Sequence, residues 1–187
     1  DTTTSRALTT TSACNVSGTL TLNGSTVSCT GTGTTNNYSL EVSSTGVYTG
    51  GTGANHTIGS IYINAGNVTL TTGNTTINSV WNGVAGNNCI AFKTATFSAP
   101  TNSTVTLTYA GASTIYDFAN TAHQFYNLTI NHASHALTYS AGKSFALTVA
   151  NNLTITAGSF TTWDGPTGTP TSASLTVTKL VDIYAGT

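Results

Sequence analysis

The chain has 187 residues, enough for one domain with a substantial core or two small ones, yet only 5% of them are charged, against about 25% in an ordinary soluble domain. Arg6, Lys93, Lys143 and Lys179 stand singly in a chain of net charge −1, so no basic face forms and nucleic acid is not an expected partner. No apolar run approaches the roughly 20 residues of a membrane-spanning helix.

The polar surface must come from Thr, Ser, Asn and Gly. A surface so poor in charge has little repulsion to keep copies apart, which favours association or calls for another solubilising coat. Hydrophobic residues make up 38% of the chain and alternate with polar ones, which points to folding rather than disorder. Met is absent, including at position 1, and the N-terminus reads as processed after removal of a signal peptide, with an extracellular or cell-surface destination.

Residues 1–12 are Thr-rich and aperiodic and read as an extended arm. If the protein polymerises, such an arm could be donated to a neighbour's sheet edge, with Ala7-Leu8 as its apolar anchor. Residues 13–187 read as a single β-rich domain, irregular over 13–99 and repeat-like over 100–187. From Val16 to Val27 the pattern is strand, turn at Asn23-Gly24 and returning strand. The flanking Cys14 and Cys29 are then a reasonable local disulfide, leaving Cys89 as a buried thiol or an intermolecular bridge.

Alternating runs follow at Tyr38 to Val42, Ile58 to Ile63, Asn67 to Thr71, Thr75 to Trp81 and Ile90 to Phe97. Pro100 ends a strand because it cannot donate to a ladder. Beyond it, Val105-Thr106-Leu107-Thr108, Leu128-Thr129-Ile130, Leu153-Thr154-Ile155 and Leu175-Thr176-Val177 recur at an interval that suits one turn of a parallel β-solenoid with three short strands. Ala141-Gly142 and Ala157-Gly158 read as tight turns closing such runs. No segment has a helical period. The expected fold is all-β, a parallel β-solenoid at least over 100–187, with a β-sandwich exchanging strands between subunits as the alternative.

The phrases Phe125-Tyr126-Asn127-Leu128-Thr129-Ile130 and Leu147-Thr148-Val149-Ala150-Asn151-Asn152-Leu153-Thr154-Ile155-Thr156-Ala157-Gly158 resemble the repeats of large secreted, adhesin-like surface proteins of bacteria and archaea. That resemblance implies right-handed parallel β-helices and covers roughly residues 100–187. By composition the chain is also similar to archaeal extracellular filament and sheath subunits, in which sheets join across subunits.

Nine Asn-x-Ser/Thr sequons occur, at Asn15, Asn23, Asn37, Asn55, Asn67, Asn74, Asn102, Asn127 and Asn152. Chance supplies several in a chain so rich in Ser and Thr, but covalent glycans would give a charge-poor secreted chain its solubility. Asn23, Asn55, Asn74 and Asn102 are the best placed, because they fall at turns. His123, His132 and His135 do not suit a metal: an H-x-x-H pair on one strand points its rings to opposite faces, so surface roles are expected and no cofactor. His56 lies in a sequon loop.

Asp117, Asp164 and Asp182 could be stacked by a repeat, but no nucleophile, phosphate-loop or Cys-pair motif accompanies them, and no enzyme is expected. Trp81, Trp163 and the tyrosines could stack on sugar rings, though packing against strands is the plainer role. The sequence therefore favours an extracellular structural protein that self-assembles into a filament, sheath or surface layer through β-pairing between copies. The assembly edges are Leu8 in the arm and Leu180, Val181, Ile183 and Tyr184 in the final strand. A glycan-binding adhesin or viral fibre module is the second reading, and a polysaccharide-degrading β-helix the third.

Overall fold

The computed structural model describes residues 6–31, 38–83, 86–93, 96–117, 122–141, 146–163 and 174–184. Its strands run in triplets around a solenoid: β1 (Ala7–Thr10), β2 (Cys14–Val16) and β3 (Thr19–Thr21), then β4 (Thr26–Cys29), β5 (Leu40–Val42) and β6 (Val47–Thr49). Next come β7 (His56–Ile58), β8 (Ile61–Ile63) and β9 (Asn67–Thr69), then β10 (Asn74–Ile77), a short β11 (Trp81–Gly83), β12 (Gly86–Phe92) and β13 (Thr96–Ser98). The last elements are β14 (Thr104–Leu107), β15 (Ser113–Asp117), β16 (His123–Phe125), β17 (Asn127–Ala141), β18 (Ala146–Val149), β19 (Asn152–Trp163), β20 (Ser174–Val177) and β21 (Leu180–Ile183).

Strands pair in parallel with those one turn away, and among the described residues only β11 pairs antiparallel, with β12. Three faces result. The first stacks β1, β4, β7, β10, β14, the start of β17, the start of β19, and β21. The second stacks β2, β5, β8, β12, β15 and the later parts of β17 and β19. On the third, β3, β6, β9 and β13 form one sheet and β16, β18 and β20 another.

The alternation seen in the sequence now has a cause: every second residue faces the solenoid interior. One inward column on the first face is Thr10, Cys29, Ile58, Ile77, Leu107, Ile130, Ile155 and Ile183. The second face contributes Cys14, Leu40, Ile61, Ile90 and Ile115, and the third Leu20, Tyr48, Val68 and Phe97. From Ile58 to Ile130 the first of these columns is fully buried. Where the third face passes from β13 to β16, aromatic rings take over the contact: Phe97 meets Phe125 with centroids 5.3 Å apart, and Phe92 stacks on His123 at 3.8 Å.

Several expectations are corrected by this topology. The segment Val16 to Val27 is not a hairpin; β2, β3 and β4 lie on three different faces and pair only with strands of other turns. Ala7–Thr10 is no free arm but the first strand of the solenoid, in register with Thr26–Cys29 of its own chain. The solenoid expected at least over 100–187 is present there and extends back through the earlier turns to β1. Leu175-Thr176-Val177 belongs to the third face, and the first-face successor of Leu153 is Val181. Ala157-Gly158 does not end a strand: Gly158, at φ 84°, lies within the continuous β19, between the parts that pair on the first and second faces. Gly142 lies outside the described residues.

Candidate functional site

The described surface offers three features that could act on something else: the open edges of the two outer strands, the outward polar columns, and an aromatic cluster on the second face. Among the described residues the outer strands are β1, which pairs with β4 alone, and β21, which pairs with β19 alone. Both stand in the same first-face column, one at each end. On and beside them lie the exposed large hydrophobics of the described residues: Leu8 at 39%, Leu180 and Val181 at 51%, Ile183 at 56% and, just after β21, Tyr184 at 69%. Val181 and Ile183 occupy positions that in the preceding turn are Leu153 and Ile155, both buried. They thus hold core positions of the column while being exposed.

The end holding β1 is crosslinked. Cys14 and Cys29 form a disulfide with their Cα atoms 6.1 Å apart, tying β2 on the second face to β4 on the first. The bond therefore joins two turns across the interior rather than closing a hairpin. Cys89 is a free, fully buried thiol whose pKa burial pushes up to about 12, which keeps it protonated and unreactive.

The outward side of the first face is a pair of polar columns. One runs Thr9, Ser28, Thr57, Thr76, Thr106, Thr129, Thr154 and Asp182. The other includes Thr26, Asn74, Thr104 and Asn127, with Asn55 and Asn152 in line through hydrogen bonds. Four sequon asparagines thus share one column. Asn74 was read as a turn residue but opens β10, where its Nδ2 donates to Thr76 Oγ1 at 2.9 Å and its Oδ1 accepts from Thr106 Oγ1 at 2.8 Å. Asn127 Nδ2 donates to the Ser103 carbonyl at 3.1 Å, and its Oδ1 accepts from Asn151 Nδ2 at 2.7 Å. Asn15, Asn23, Asn55, Asn67 and Asn102 are exposed, and Asn102 sits at φ 72° in a Pro100–Ser103 turn. Asn37 lies outside the described residues.

Aromatic residues converge on the second face. Tyr38, Tyr62 and Trp81 pack with centroids 5.0 to 5.6 Å apart, and Tyr38 is buried beneath the other two. Burial and the neighbouring Glu41 carboxylate raise the Tyr62 pKa. The rings lie against one another where corner insertions meet β8, with Tyr62 and Trp81 partly exposed. The Trp163 side chain lies outside the described residues.

Two histidines prove to be interior groups. His56, expected in a loop, is an inward residue of β7: its Nε2–H donates to the Ser25 carbonyl at 3.2 Å, and Nδ1 accepts from the Tyr48 hydroxyl at 2.7 Å. Burial lowers its pKa and raises that of Tyr48. His123, expected at the surface, is buried against Phe92. The sequence signal for both was available in retrospect, because each sits in the inward phase of an alternating run. Side chains of His132 and His135 lie outside the described residues, and among the described residues no group of three His, Cys, Asp or Glu could hold a metal.

Asp117 is on the second face and Asp182 on the first, so the repeat does not stack them, and Asp164 lies outside the described residues. No described helix is long and apolar enough to cross a membrane. No protein-family model, curated protein or solved structure matches the chain.

Proposed function

We propose that the protein is an extracellular structural subunit whose copies stack end to end, β21 of one pairing with β1 of the next, to build a filament, sheath or surface layer. The observation that carries this reading is that the outer strands β1 and β21, at opposite ends of one continuous ladder, each have one edge that no described strand covers and exposed apolar residues at core positions. Such edges are templates for further strand pairing, and among the described residues of β1 and β21 the only charge to oppose it is Asp182. The Cys14–Cys29 disulfide supports an oxidising, secreted setting. Glycans on Asn15, Asn23, Asn67 and Asn102, which are exposed and stand off the first-face ladder, would supply the solubility that charge does not.

Sedimentation velocity over a range of concentrations tests the stacking. The chain should form progressively larger species, and Val181→Lys, which places a charge in the contact, should remain monomeric. A wild-type chain that stays monomeric at every concentration would overturn the proposal.

A further inference from the structure

The outward Thr column of the first face has no task in the stacking of ends. It runs without a register shift through the first-face strands, and seven of its eight positions are Thr or Ser. We propose that this face binds ice, by matching its Thr/Ser row of hydroxyl and methyl groups, with the Asn- and Thr-bearing row beside it, to the oxygen lattice of an ice surface.

Geometry is the first support. Neighbouring members of the column are separated by the inter-strand distance of a β-sheet, about 4.7–4.9 Å, and the two outward columns lie two residues apart along each strand, about 6.5–7 Å. Oxygen rows on the faces of hexagonal ice repeat at separations within a fraction of an ångström of both. Rigidity is the second. Threonine is stiff at χ1, and Thr76 and Thr106 are further held by their hydrogen bonds to Asn74, so the groups are ordered before any contact is made. Hydroxyls can take lattice positions while the methyls beside them order the adjoining water.

Charge is the third support. Asp182 is the sole charged residue among the outward positions of the first-face strands, and none of those positions is aromatic. A neutral, unstacked, periodic partner fits this face. The other faces differ: the second carries Glu41, Tyr62 and Tyr116 in one outward column, and the Thr21, Thr49, Thr69 and Ser98 column of the third stops where its sheet does.

Ice-affinity partition of the full chain tests the proposal, with a highly charged globular protein as the excluded reference. The chain should be enriched in slowly grown ice. Thr106→Lys and Thr129→Lys, at the middle of the column, should each lose that enrichment while keeping the wild-type circular dichroism and melting curve, and Thr49→Lys on the third face should retain it. The monomeric Val181→Lys variant should still enter ice, which separates this claim from the stacking of ends. Exclusion of the wild type from ice would overturn it, as would equal behaviour of the folded first-face and third-face variants. Binding to crystalline chitin or cellulose without entry into ice would overturn it in favour of a polysaccharide.

Discussion

The first and third faces of the solenoid are built from similar short Thr-rich strands, yet one is a single ladder from β1 to β21 and the other is two sheets with an aromatic seam. On the first face backbone hydrogen bonds pass from turn to turn without interruption, so its interior residues need only be apolar and of similar size. At the seam among the described residues no strand pairing joins β13 to β16, and Phe92, Phe97, His123 and Phe125 fill the gap with ring contacts. A continuous ladder can be extended at either end by adding a strand, whereas a seam must be packed.

The largest effect is expected at the seam. Phe125→Ala removes a fully buried ring and its contact with Phe97 and should cost about 3–5 kcal/mol in urea unfolding. Leu107→Ala on the first face should lie lower in the range of about 2–5 kcal/mol, because its neighbours remain held by the ladder. Equal losses would mean that the seam is no weaker than the ladder.

Removing the crosslink at the β1 end by Cys14→Ser with Cys29→Ser opens a loop of 15 residues in sequence separation, worth about 3 kcal/mol. Hydrogen exchange should show the loss in β1, β2 and β4 and not in β19 or β21. Asn127→Ala, which removes the amide bonds to Ser103 and Asn151 from the polar column, should cost about 1–2 kcal/mol by the same unfolding measurement.

The smallest effect is that of pH. His56 is held below its ordinary value of 6.5 by burial, so the folded state binds fewer protons than the unfolded one as pH falls through that value. Its contribution is complete above pH 6.5 and declines as the solution is acidified towards the lowered folded value. The urea midpoint of the wild type should fall between pH 8 and pH 5, and in His56→Gln that part of the slope should vanish.

The all-β class, most strand positions and the Cys14–Cys29 pairing were legible in the sequence, because alternation and cysteine placement are local signals. The turn count was legible only where turns are even. Partners on the first face step from Val105 to Leu128, Leu153 and Val181, intervals of 23, 25 and 28 residues, but earlier from Leu8 to Val27, His56, Thr75 and Val105, intervals of 19, 29, 19 and 30. The long early turns carry corner insertions, one including the β11–β12 hairpin, and these hide the repeat over residues 13–99. His56 and His123 escaped because a polar residue in an inward phase looks like an exposed one until its partners, Tyr48 and Phe92, are known. The asparagine column was also invisible, since its members are brought into line only by the register of separate turns.

The proposed stacking through the first face would set a register as well as an edge: Leu8 of one copy should stand beside Val181 of the next, continuing the column that runs from Leu8 through Val27 to Val181. A chain carrying Leu8→Cys and Val181→Cys, treated with a short bismaleimide, tests this most directly, since buried Cys89 will not react. The account predicts covalent ladders of two, three and more copies joined between those positions. Only monomeric or internally modified chain at concentrations where the protein is assembled would contradict it.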